Sequence, residues 1–133
     1  MQYENLTRAI IGCSMIVQRG LGPGFLESVY QNALAWELRS ANILVDCERR
    51  LQVRYREVVV GDFVADMVIA DRVLVEIKAV RALAPAHEAQ LVNYLAATGM
   101  EVGLLINFGA ARLSFKRRTR VPRQLRSYRM TAG

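Results

Sequence analysis

The stretch that decides the fold is Val73-Leu74-Val75-Glu76-Ile77-Lys78-Ala79-Val80. Val73, Leu74, Val75, Ile77 and Val80 make the short, largely β-branched apolar run of a buried strand. Glu76 and Lys78 interrupt it. Residues two apart in a strand share a face, so both charges project from one side, next to Leu74 and Val80. Upstream, Ala70-Asp71-Arg72 links this run to a second strand at about residues 62–69, which contains FVADMVI. With a three-residue link, Ile69 pairs with Val73 and Asp66 lies opposite Glu76, their Cβ atoms about 4.5–5.5 Å apart. A two-residue link would put the two acids on opposite faces.

Two carboxylates so close repel each other and are costly to bury unless a cation neutralises them. A hard divalent ion, Mg²⁺ or Mn²⁺, bridges such a pair with oxygen ligands at about 2.1 Å and keeps waters for substrate oxygens. Lys78, on the same face, would stand beside that water and could orient it or stabilise charge building on a phosphate. Spacing alone favours the plainer reading, an ion pair at a sheet end. Two helices add further groups. HEAQLVNYL places Gln90 and Tyr94 four residues apart on one face, beside Leu91 and Leu95. GFLESVY places Gly24, Glu27 and Tyr30 three apart on one stripe, with Glu27 favoured by the helix dipole and Tyr30 readable as a core aromatic. His87 is the sole histidine, so no histidine pair is available.

Around these motifs the spacing predicts a helix over residues 4–18, with Leu6, Ile10, Cys13 and Val17 on its apolar stripe. RGLGPG breaks it, and a second helix follows over about 25–40 with Phe25, Val29, Ala33 and Trp36 at helical spacing. Residues 49–60 alternate Leu51, Val53 and Tyr55 with arginines and predict a half-wet strand, with Gly61-Asp62 turning the chain. Pro85 opens a crossover helix over about 86–98 that Gly99 closes, GLLINF at 103–108 is a fourth strand, and 112–117 adds a short fifth. This order predicts a mixed sheet flanked by helices, in the α/β or α+β range.

With 133 residues, 53% hydrophobic and 23% charged, the chain suits one soluble folded domain rather than a disordered segment. It holds no apolar run long enough for a membrane span and no basic leader segment, so the expectation is a cytoplasmic protein with reduced Cys13 and Cys47. The net charge is +6, yet all 12 acidic residues precede position 116. The division expected is a domain over 1–116 and a basic tail over 117–133, with Arg117, Arg118, Arg120 and Arg123 positioned for a polyanion and Tyr128 for stacking. A merely solvated tail fits a bare charge run equally well.

GFLESVY resembles the G-x-x-E-x-x-Y motif that names the GxxExxY proteins. FVADMVIADRVLVEIKAV and EAQLVNYLAATGMEVGLLINFG are similar to the rest of that family's pattern, so the resemblance spans about residues 5–118. The family is placed in the PD-(D/E)XK nuclease-like superfamily, which implies a restriction-endonuclease-like αβββαβ core, here with an extra N-terminal helix. Carried over by position, the resemblance makes Asp66 and Glu76 the metal-binding carboxylates, with the Ile77 carbonyl a further ligand, and Lys78 the catalytic lysine. It makes Gln90 the helix glutamine of the RecB-like branch, with Tyr94 its neighbour, and Glu27 the acid contributed by the first core helix. What this implies is a Mg²⁺- or Mn²⁺-dependent nuclease acting on nucleic acid, most simply DNA, and leaving a 5′-phosphate. The alternative is a non-catalytic nucleic-acid-binding or assembly protein on the same fold. So small a chain also suits a homo-oligomer.

Overall fold

The VLVEIK run forms the middle strand of a five-stranded sheet in the computed structural model, which describes residues 3–121. The chain runs α1 (Glu4–Leu21), α2 (Glu27–Ser40), β1 (Val45–Tyr55), β2 (Val58–Ile69), β3 (Val73–Lys78), α3 (Pro85–Thr98), β4 (Val102–Asn107) and β5 (Ser114–Thr119). The strands lie in chain order. β3 and β4 pair in parallel and every other neighbour is antiparallel, so α3 is the crossover that a parallel pair needs.

Each side of the sheet has its own core. Val73, Val75 and Ile77 of β3 pack with Leu104 and Ile106 of β4 against Ile10, Tyr30, Leu34 and Leu38 of α1 and α2. On the other side Leu74 and Leu105 meet Leu91 and Leu95 of α3. Strands covered on both faces have no wet positions to alternate with, hence the continuous apolar runs of β3 and β4. Pro85 opens α3, and Gly99, at φ 81°, closes it.

Several expectations need correction. α2 starts at Glu27 and buries Tyr30, Gln31, Leu34, Ala35 and Leu38, whereas Phe25 and Trp36 are exposed. Of the stripe through Phe25, Val29, Ala33 and Trp36, Val29 and Ala33 are half-buried, Ala33 against the core, and only its two aromatic ends lie outside. The first hairpin turns at Arg56-Glu57, and Gly61 lies inside β2 opposite Val53. Strong strand formers on either side, Tyr55 and Val58–Val60, close the hairpin before the glycine is reached. β1 begins at Val45, and β3 stops at Lys78, leaving Val80 beyond it. Arg117 and Arg118 belong to β5, opposite Leu104 and Gly103, so the sheet continues past the expected boundary at 116. Arg123 and Tyr128 lie outside the described residues.

Candidate functional site

The β2–β3 ladder pairs Ile69 with Val73, Val68 with Leu74 and Met67 with Val75, the register of a three-residue link, and ends there. One step further the strands part. Asp66 turns its side chain into the gap, and its Oδ2 accepts the Ile77 backbone N–H at 2.7 Å. β2 changes sides at the same place: Met67 and Ile69 pack towards α1 and α2, while Phe63 and Ala65 pack on the α3 side. β1 makes the same switch at Glu48, whose φ of 54° lies between the paired positions Cys47 and Arg49. Glu48 turns to α2 instead of the site and takes a hydrogen bond from Gln31 Nε2 at 3.2 Å.

The Glu76 carboxyl fills the gap beside Asp66. Burial first, then the Asp66 charge and a carboxyl–carboxyl hydrogen bond, push its pKa up to about 9, against the lowering effect of Lys78 and the Asp66 backbone N–H. Glu76 Oε1 is enclosed and has no hydrogen-bond partner. A buried orphan oxygen beside a second carboxylate is the environment a hard cation satisfies, so the donor set fits a divalent ion. Among the described residues no group of three His, Cys, Asp or Glu side chains converges on one point. Any such ion would therefore rest on this carboxylate pair, with a backbone oxygen such as that of Ile77 and with solvent.

Half-buried Lys78 ends β3 on the face it shares with Glu76. What fixes the chain just beyond it is a residue that the sequence reading passed over. Asn107 is completely buried at the end of β4. Its Oδ1 accepts the Val80 and Gly109 N–H groups, each at 3.0 Å, and its Nδ2 donates to the Val80 carbonyl at 2.9 Å. The Phe108 N–H donates to the Lys78 carbonyl at 2.9 Å. At Gly109 a Cβ would sit 2.3 Å from the Val80 nitrogen, so this approach admits only glycine. Asn107-Phe108-Gly109 read in sequence as the end of an apolar strand. An asparagine two residues before a glycine there was the available signal.

Gln90 and Tyr94 meet on α3, with Gln90 Nε2 donating to the Tyr94 hydroxyl at 2.7 Å. The Tyr94 ring stacks on Phe63 of β2 with centroids 3.9 Å apart. Tyr30 is buried: its hydroxyl donates to the Gly22 carbonyl at 2.6 Å, accepts the Phe25 N–H at 3.2 Å, and its ring stacks on Phe108 at 4.8 Å. Gly24 takes a φ of 112°, which favours glycine. The glycine and tyrosine of GFLESVY thus shape and pin the loop that delivers Glu27, itself exposed at the first residue of α2. No hydrogen bond or ion pair joins Gln90 or Glu27 to the Asp66–Glu76 pair. The structure therefore brings Asp66, Glu76, Ile77 and Lys78 together, and leaves Gln90 and Glu27 on neighbouring elements. Arg118 and Arg120 engage acids of their own chain, Glu88 at 2.9 Å and Glu101 at 2.7 Å. No helix among the described residues is long and apolar enough to cross a membrane.

The structure is similar to that of SSO0001, with a TM-score of 0.58 and 19% identity, over 98% of this chain and 66% of that one. It is also similar to the alkaline exonuclease LHK-Exo from Laribacter hongkongensis, with a TM-score of 0.53 and 12% identity, over 98% of this chain and 77% of that one. This chain thus spans just under two thirds of the length of SSO0001. At these identities the likeness is one of fold. No curated protein matches the sequence. The sequence pattern of one superfamily matches residues 4–119, every element from α1 to β5, and by that match the chain belongs to the PD-(D/E)XK nuclease superfamily.

Proposed function

We propose that this protein is a divalent-metal-dependent nuclease, with Mg²⁺ or Mn²⁺ as cofactor and DNA as the foremost substrate. One observation carries the reading: the enclosed, partnerless oxygen of Glu76, held against the Asp66 carboxyl where β2 and β3 part. A pair of acids this costly to bury together suits a site built to hold a cation. Asp66, Glu76 and the Ile77 carbonyl would hold the ion, which when bound polarises a water and the scissile phosphate. Lys78 would donate to the phosphate oxygen on which charge builds as water attacks phosphorus in line and the bridging oxygen leaves. Gln90, oriented through Tyr94 and the Phe63 stack, and Glu27 at the start of α2 would flank the water and the sugar–phosphate chain. The Gly24-Glu27-Tyr30 spacing supports a GxxExxY assignment within the superfamily. Two free cysteines suit a cytoplasmic setting.

The test is cleavage of linear, circular and single-stranded DNA and of RNA in Mg²⁺ or Mn²⁺, beside Asp66→Ala and Lys78→Ala. Each substitution should lower the rate by about 10²-fold or more. Cleavage that survives both substitutions overturns the assignment. Salt-sensitive binding without cleavage would leave a nucleic-acid-binding protein on a nuclease fold.

A further inference from the structure

We propose that the outer half of the β1–β2 hairpin is a duplex-gripping arm that leads nucleic acid to the Asp66–Glu76 fork. The inference rests on the nucleic-acid reading above, though not on catalysis. β2 pairs with β3 only at Met67, Val68 and Ile69, whereas its pairing with β1 continues out to Val58 opposite Tyr55. Beyond Asp66 the hairpin is therefore a two-stranded ribbon. α3 covers its base through Leu51 and Phe63, and every residue from 54 to 62 is exposed. At about 3.3 Å per residue, the tip stands roughly 25 Å from Asp66.

The ribbon's side chains suit a polyanion. Arg50, Arg54 and Arg56 lie along it with Tyr55, opposed by Glu57 and Asp62. Arg50 makes only a long, exposed contact with Asp62 at 3.7 Å, and the Arg56 guanidinium lies 5.5 Å from the centre of the Tyr55 ring. Up to residue 115 the chain holds 12 acids against 11 basic residues, whereas the ribbon's three arginines outnumber Glu57 and Asp62 by one. Exposed Val64 and Val59 stand opposite Arg50 and Arg54 on the paired strand, and exposed Val58 stands opposite Tyr55. A second copy of the chain fits this surface less well than a polyanion, because a twofold interface sets a patch of net positive charge against itself. A two-stranded ribbon does fit the major groove of a duplex, with arginines reaching phosphates on either side and apolar side chains facing base edges. Because Asp66 is the root of the ribbon, a duplex held along it meets the carboxyl pair at its end.

The test is binding of a 20-base-pair duplex and of the matching single strand by the full chain in EDTA, across a salt series. The triple variant Arg50→Gln, Arg54→Gln, Arg56→Gln is compared with Arg8→Gln, Arg19→Gln, Arg112→Gln, which removes the same charge from α1 and the β4–β5 connection. Each lost phosphate contact lowers the slope of log K against log salt by about 0.9, so the ribbon variant should lose about 2.7 from the duplex slope and the control little. Affinity for duplex should fall at least about tenfold and for single strand less. Circular dichroism of both variants should match the parent, since the replaced side chains are exposed. An unchanged duplex slope in the ribbon variant overturns the proposal even if cleavage is found. A shift in oligomeric state with duplex binding retained overturns it in favour of a second copy. A parent that binds no nucleic acid in EDTA overturns this inference, whereas the nuclease reading stands or falls on cleavage in Mg²⁺ or Mn²⁺.

Discussion

Glu76 is where sequence, burial and chemistry meet in one side chain. Its carboxyl would ordinarily titrate near 4.5, and burial against Asp66 raises that to about 9. The folded protein thus keeps a proton that the unfolded chain releases between those values. Glu76's contribution to stability is fully present below about pH 4.5 and is lost as pH rises through about 9. Metal-free protein should accordingly melt at progressively lower temperature over this window relative to Glu76→Gln, by fluorimetry in matched buffers; parallel profiles would remove Glu76 as the cause. A cation at the pair must displace that proton, so the melting-temperature rise produced by Mg²⁺ should grow with pH and vanish in Glu76→Gln. Asn107 is the other decisive residue. Replacing it with alanine leaves the Val80 N–H and carbonyl and the Gly109 N–H without their partner, at a cost of at least about 2 kcal/mol in urea unfolding. A loss under about 0.5 kcal/mol would mean water substitutes for the amide.

At the scale of elements, turns and helix faces decide what the site receives. The β2–β3 link bends through Ala70 and Asp71, both at positive φ (52° and 56°), with the Arg72 N–H donating to the Ile69 carbonyl at 2.9 Å. Side chains other than glycine resist that conformation, and Asp71 is retained by its ion pair with Arg49. Ala70 has no such tie, so Ala70→Gly should stabilise the protein by about 1 kcal/mol and leave the Asp66–Glu76 register intact. A destabilised variant would show that the Ala70 methyl's packing outweighs the strain. α2 shows why its inner face was misjudged from sequence. Its fourteen residues carry apolar side chains all round, and helical periodicity does not rank two stripes of similar apolarity. The choice falls to Tyr30, Leu34 and Leu38 because these meet α1 and the sheet, and Trp36 is left outside at 66% exposure.

At the scale of the molecule, β3 and β4 serve two cores at once, and the outer end of the ribbon, residues 54–62, serves neither. Val73, Val75 and Ile77 on one side and Leu74 on the other tie both layers to the same strand. Unfolding should then remove both layers together, while the ribbon tip opens independently. Hydrogen exchange should find the amides of β3 and β4 protected at the level of global unfolding, and those of residues 54–62 exchanging far faster. Equal protection in both regions would mean that the tip is held by contacts beyond its own ladder.

The sequence by itself determined the strands and the helix that hold the candidate site. VLVEIK, the Pro85-to-Gly99 helix and the D…ExK spacing rest on local periodicity and on chain-breaking residues, which act within a few positions. It also limited the register to two choices through the length of one link. Only the tertiary structure decided the rest: that Asp66 leaves the ladder to bind the Ile77 N–H, that Glu76 is enclosed, and that Asn107 locks the chain after Lys78. It also moved the first turn from Gly61 to Arg56-Glu57 and set Arg118 and Arg120 against Glu88 and Glu101. These features depend on groups from 11 to 30 positions apart in the chain, and on what each burial leaves unsatisfied. Only the packed sheet brings such groups within hydrogen-bonding distance.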